Sequence, residues 1–432
     1  MKTNYKSSSM NKFHKRLALV MGLGHLAAGY ALGIAGPAVL SAQNVLGLSA
    51  AQVGLLGAGT LIGLFGSLFI GNLSDKIGRS NLLKWGMVGF TVLSISHLFI
   101  SNFYLLLIVR ILLGLCISID YTVGSVLLAE WLPTGKDSIY LSKYVVYWMI
   151  GYCLSFLCGL VMDGIALDYK IIFASSLVIG LITTIARYTI GVQESPAWLS
   201  NVGRKEESKA LIEKHIGSDY EIVEEASEVK EKVKVSELFS KKYRRNTLIG
   251  GTFFACQVFP FYGVSLFLPI LVEQMNIGGA HASTIIYDIF TVAGAIIGVW
   301  LIKKVTRRSF LISTFYIAAI SLAVMIFGQS APMYVCIIAF SVYALMMSIA
   351  SDIQFVYPPE LFDDRTRGTG VGIVVASSRV GATAGTFLLP VLVESLGVYG
   401  ALGICLLILI IGGIACQLYA PETAPKKEKV DA

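Results

Sequence analysis

The chain has 432 residues, of which 55% are hydrophobic and only 14% charged, with a formal net charge of +7. Soluble domains carry roughly 25% charged residues, so this composition leaves too little charge to coat a water-exposed surface and argues against a soluble enzyme. The remaining charges are clustered. Between them apolar runs of about 18 to 25 residues recur, each long enough at about 1.5 Å per residue to cross roughly 30 Å of hydrocarbon.

In chain order the expected spans are 17–40, 51–70, 82–100, 104–129, 141–162, 170–191, 246–271, 281–302, 310–328, 331–357, 368–393 and 396–419. Twelve spans put both ends of the chain on one side of the membrane, and the basic residues choose that side. Lys2, Lys6, Lys12, Lys15 and Arg16 precede the first span, and Lys76, Arg79 and Lys84 follow the second. Lys136 and Lys143 flank the connection after the fourth, Lys303, Lys304, Arg307 and Arg308 that after the eighth, and Arg365 and Arg367 precede the eleventh. The alternate connections hold almost nothing basic except Lys170. Both termini are therefore expected in the cytoplasm, beneath a plasma membrane. The positive charge serves orientation, and no nucleic-acid partner is implied. The N-terminal segment Met1 to Arg16 lacks a convincing cleavage site and is expected to be retained.

Seven cysteines all lie in or beside apolar segments without a Cys-x-x-Cys spacing, which reads as free buried thiols. No metal or cofactor is expected. No Gly-rich loop joins a strand to a helix, so a nucleotide site is not supported. From about Gln193 to Asn246 the composition turns to Glu and Lys at spacings that support short amphipathic helices. The expected organisation is a six-helix bundle over 1–192, a cytoplasmic charged linker over 193–245, a second six-helix bundle over 246–420 and a tail over 421–432. Two bundles that rock about a central site are the arrangement this division implies.

The segment GNLSDKIGRSNLLKWG, Gly71 to Gly86, resembles the signature between helices 2 and 3 of the major facilitator superfamily. RILLGLCISIDYTVGSVLLAEWLP from Arg110, QESPAWL from Gln193, YPPELFDDRTRGTGVG from Tyr357 and PET from Pro421 narrow the resemblance to the sugar and metabolite porter branch. It covers nearly the full chain in order. It implies an all-α integral membrane protein of 12 transmembrane helices in two pseudo-symmetric bundles, working as a transporter and as a monomer.

Each matching segment also has a physical reading. Asp75 ends the second span, Gly78 permits a tight turn, and Arg79 pairs with acids to latch one state of the bundle. Arg110 and Glu130 bracket the fourth span, about 30 Å apart, and are expected to face opposite headgroup regions. The resemblance implies that Glu130 joins the Asp75 loop and an arginine, either Arg79 or the Arg365 and Arg367 pair. Glu194 and Glu360 lie in the matching motifs and, with Arg367, complete the expected gating set.

Asp120 sits midway along the fourth span, where an unpaired carboxylate is most costly. A carboxyl that takes up a proton in one access state and releases it in the other couples two gradients, so Asp120 is the candidate proton site. The rival reading is a neutral carboxyl that only joins helices. Arg379, deep in the eleventh span, stays charged and must face a polar cavity or an acid. It suits an anionic substrate bidentately or an internal salt bridge with Asp120 or Asp352. Tyr30, Gln257, Tyr262 and Asp352 are further substrate-binding candidates, with His25, Asp288 and Gln354 as weaker ones. Arg187 reads as structural, and His25 and His97 as packing residues.

Departures from the branch narrow the substrate. Sugar porters carry Gly-Tyr-Asp in the first helix, whereas this chain reads LAAGYAL, with Ala28 and Ala31 at the acidic positions. The seventh span keeps Gln257 but lacks the other amides of sugar porters, and Val258 stands where phosphate symporters tend to have Asp. The leading expectation is proton-coupled symport of a small anionic metabolite, an organic acid or phosphate-like compound. The alternatives are a sugar transporter, coupled or facilitative, and a transporter-like receptor whose linker signals.

Overall fold

A computed structural model describes residues 3–222, 235–268, 271, 275, 280–328, 332–363 and 365–424. Part of the expected linker, the end of the seventh expected span and the tail beyond 424 lie outside the described residues. The chain divides into two compact units, Met1–Val229 and Lys230–Ala432.

The first unit is built from α1 (Lys12–Leu46), α2 (Ala50–Ile77), α3 (Arg79–Phe99), α4 (Phe103–Trp131), α5 (Asp137–Gly164) and α6 (Tyr169–Gly191). Their ends follow local chemistry. Asn11 and His14, then Ser49 and Gln52, form reciprocal caps at the starts of α1 and α2. Asn102 accepts from the Tyr104 and Leu105 amides to open α4. Gly78 separates α2 from α3 at φ 95° and ψ 155°, a backbone region closed to residues with a Cβ.

A charged helix α7 (Lys205–His215) follows the first unit's membrane helices and docks onto them. Phe13 stacks on the His215 ring at 4.3 Å, and the Asn11 amide donates to the His215 carbonyl at 2.8 Å. A short strand β1 (Thr3–Asn4) pairs in parallel with β2 (Tyr220–Glu221). The Tyr5 hydroxyl and Lys6 ammonium donate to the Glu130 and Ala129 carbonyls at the end of α4. The segment before α1 is thus a strap tying α7 to α4.

The second unit contains α8 (Arg244–Leu266), α9 (Ala280–Leu301), α10 (Arg307–Phe327), α11 (Met333–Asp352) and α12 (Arg367–Tyr419). α12 runs for 53 residues, but Gly397 at φ 71° breaks it into two crossing segments. Counting them separately gives twelve long apolar helices among the described residues.

The two units repeat one packing scheme. In the first, α1 packs on α5, α2 on α4 and α3 on α6. In the second, α8 packs on the first segment of α12, α9 on α11, and α10 on the second segment of α12. Small residues make these approaches possible: a Cβ at Gly381 would meet the Ala255 backbone of α8 at 2.5 Å. Apolar side chains such as Phe69, Trp85, Phe99 and Phe327 are largely exposed. On a soluble surface they would drive association; on membrane helices they face lipid.

Candidate functional site

The interior of the first unit holds one buried ion pair. Asp120, 2% exposed on α4, accepts from Nη2 of Arg187, which is fully buried on α6. Nη1 of Arg187 donates to the Leu83 carbonyl of α3 at 2.6 Å. Three helices are therefore tied at one point. Each partner opens a π-helical turn, Asp120–Gly124 in α4 and Arg187–Gly191 in α6. Such wide turns concentrate at functional positions, because they displace a side chain from the regular helical register.

Gly24 of α1 closes the pocket from a fourth side: a Cβ there would collide with Asp120 Oδ1 and Arg187 Nη2. His25 stacks on Tyr144 at 4.0 Å and lies 5.4 Å from the Tyr121 ring. The Trp148 indole donates to the Tyr121 hydroxyl at 2.5 Å. An aromatic wall thus flanks the pair. Chemically, the guanidinium compensates the buried carboxylate, and each group offsets part of the other's burial cost.

The sequence reading weighed Asp120 as a proton site, as a neutral carboxyl that joins helices, and as a partner of Arg379. The structure instead pairs it with Arg187, which had read as structural. The signal was available in register: Asp120 follows Phe103 by 17 residues and Arg187 follows Tyr169 by 18, in helices running the same way.

At the end of the first unit where α2 meets α3, Arg79 collects the charges. Its guanidinium contacts Glu130 at 2.9 Å and Asp75 at 3.3 Å. Of the two arginine sources weighed for Glu130, the structure places Arg79 there, while Arg365 bonds Glu237. Glu194 accepts the Arg79 and Ser80 amides, both at 3.0 Å, and so caps the start of α3. The Trp198 indole donates to the Asp75 carbonyl at 2.8 Å.

The second unit repeats this device. Glu360 pairs with Arg307 at 3.1 Å and accepts from the Thr423 hydroxyl at 2.5 Å. Glu422 accepts the Arg307 and Arg308 amides. Arg367 donates to the Pro359 carbonyl at 3.2 Å. Deeper in the unit, the Gln354 amide donates to Gln257 at 2.5 Å, and Gln257 donates to the Met347 carbonyl at 3.4 Å. Asp352 is buried beside Gly298 of α9, and its Oδ2 meets no hydrogen-bond partner among the described residues. No ion pair joins Asp352 to a cation among the described residues. Asp288 is buried on α9.

One other expectation changes. Arg110 was expected at a headgroup region, yet it is 1% exposed, seven residues inside α4. Gly59 of α2 lets it pack inward, since a Cβ there would stand 2.9 Å from Arg110 Cβ. Tyr30, a substrate-binding candidate, bonds the Ser175 hydroxyl of α6 at 2.9 Å.

Two like units of apolar helices, with charged clusters at helix ends and titratable groups at depth, define a multi-pass membrane transporter. The chain belongs to the sugar (and other) transporter family of the major facilitator superfamily, whose profile matches residues 7–429. It is 30% identical over 96% of its length to the inner membrane metabolite transport protein YgcS of Escherichia coli, covering 93% of that protein. It is 27% identical to the putative metabolite transport protein YaaU of the same organism, covering 97% of this chain and 95% of YaaU. Among solved structures it is similar to the xylose transporter XylE of E. coli in a partially occluded inward-open conformation. That match has a TM-score of 0.77 at 19% identity, over 97% of this chain and all of XylE.

Proposed function

We propose that this protein is a proton-coupled symporter of a small anionic metabolite. In this reading it works by alternating access as a monomer in the plasma membrane, with both termini cytoplasmic. The observation that carries the reading is the buried pair of Asp120 and Arg187. Protonating Asp120 removes the attraction that holds Arg187, and so loosens the tie between α4 and α6. Reforming the pair expels the proton. The site is neutral when the pair is formed and carries the unpaired charge of Arg187 when Asp120 is protonated, so reforming the pair favours release of the proton.

Arg379 is the substrate's anchor in this reading, because a guanidinium inside an apolar helix binds a carboxylate or phosphate with two parallel hydrogen bonds. Tyr262, Gln257 and Asp352 are the further substrate-binding candidates of the second unit, and Tyr30 is the candidate of the first. The clusters of Arg79 with Asp75 and Glu130, and of Arg307 with Glu360, are cytoplasmic latches. Glu194 and Arg367 brace them.

A second reading, sugar transport, is favoured by the paired amides of Gln257 and Gln354, which match hydroxyl groups better than an anion. Counterflow in proteoliposomes with organic acids, phosphate and neutral sugars separates the two. Anion exchange that Arg379→Gln abolishes supports the first reading. Exchange of neutral sugars alone, insensitive to Arg379→Gln, replaces it with the second.

A further inference from the structure

Arg110 carries a buried charge that the transport reading does not use. Its Nη1 donates to the Ala31 carbonyl of α1 at 3.4 Å, and its guanidinium lies 5.0 Å from the Phe173 ring centroid. Nε and Nη2 are buried and meet no acceptor among the described residues. No carboxylate forms an ion pair with it among those residues. Asp120 lies about 15 Å further along α4 and is held by Arg187.

The two unfilled donors are not an arbitrary pair. Nε and Nη2 form one edge of the guanidinium, with parallel N–H bonds spaced to meet both oxygens of a carboxylate. Arginine does not shed its charge on burial, and a buried charge without a counter-ion is strongly unfavourable. Phe173 and the weak Ala31 contact supply only partial compensation.

The surroundings also fit a ligand. His97 stacks on Phe173 at 5.1 Å. Its Nδ1 donates to the Ser94 carbonyl at 3.2 Å, which leaves a buried Nε2 with no partner. Arg110, His97 and Phe173 belong to three different helices of one unit, so the group does not depend on how the two units are arranged. At the position where sugar porters carry an acid, Ala31 presents only its backbone carbonyl.

We infer that Arg110 is a carboxylate-binding site in the first unit, seating the anion on its Nε and Nη2 edge with Phe173 and His97 as walls. It is separate from Arg379. The anion is either a resident counter-ion or the carboxylate of a transported compound, and the chemistry of recognition is the same.

The test uses the full chain in lipid nanodiscs, with Arg379→Gln as the background to silence the other arginine. Acetate, benzoate and chloride are titrated at constant ionic strength while thermal unfolding is followed. Carboxylates are expected to stabilise this background, and Arg110→Lys, which keeps the charge and loses the fork, to weaken that effect about tenfold. Should Arg110→Lys fail to fold, Phe173→Leu is the second variant, expected to weaken carboxylate binding several-fold. Uptake of radiolabelled carboxylate by the chain with Arg379 intact, with and without Arg110→Lys, then assigns the source: uptake that the substitution removes marks a substrate group, and uptake that survives it marks a resident counter-ion. No carboxylate-specific stabilisation beyond that of chloride, or an equal response in background and variant, overturns the site.

Discussion

Asp120 and Arg187 stand 67 residues apart in the chain and meet in the buried interior of the first unit, each at the head of a π-helical turn. Neither side chain is accessible to water to any useful degree, so among the described residues each is the other's main electrostatic compensation. Removing one alone should cost about 3–5 kcal/mol, through the charge left behind. Asp120→Asn and Arg187→Gln together should cost markedly less than their sum. Unfolding of the two single variants and the double variant in nanodiscs measures the coupling; additive losses would show that the pair contributes little.

Gly24 is the steric condition for that pair. A methyl group at this position collides with both partners, so Gly24→Ala should lower stability by about 1–3 kcal/mol. It should also impair transport although it alters no charge. Wild-type uptake by Gly24→Ala would mean that the pair has room to move aside.

Glu194 joins the start of α3 to the segment after α6 by accepting the Arg79 and Ser80 amides. Hydrogen bonds from a charged acceptor contribute about 1.5–3 kcal/mol. Glu194→Ala should therefore slow turnover more than it weakens substrate binding, because it frees the Arg79 latch and leaves the deep sites in place. Comparing maximal uptake rate with binding affinity is the check, and a loss confined to affinity would contradict it.

Acid should loosen α7. Burial, and then the charge of Lys214, hold the His215 imidazole below its ordinary value. The docked helix therefore binds fewer protons than the released one. Docking is fully stabilised above the unperturbed value near 6.5 and weakens as pH falls through it toward the depressed docked value. Amide exchange of residues 205–215 should quicken on moving from about pH 7.5 to about pH 5.5, after correction for intrinsic rates. His215→Gln should flatten that change, and an unaltered pH profile in the variant would remove His215 from the account.

The helical membrane fold was legible because hydropathy runs and clustered charge are strong, local signals. Asp120 stood out for the same reason, as a carboxylate in the middle of an apolar run. Its partner did not, since pairing Arg187 with it depends on how α4 and α6 align, which no short motif records. Arg110 was misplaced because a charge near a helix start was read as lying at the surface, whereas Gly59 admits it to the interior. The strap over Thr3–Ser8 was invisible: two residues pairing in parallel with Tyr220–Glu221 leave no periodicity to find. The latch of Arg79 with Glu130 was narrowed to two arginine sources by resemblance, and geometry chose between them.

The central claim is that Asp120 carries the coupled proton, and its most direct test is proton entry into proteoliposomes loaded with a pH-sensitive dye when a transported anion is added outside. Wild-type protein should acidify the lumen with anion uptake, and Asp120→Asn should exchange anion across the membrane without moving protons. Proton entry that persists in Asp120→Asn, in step with anion uptake, would contradict the account.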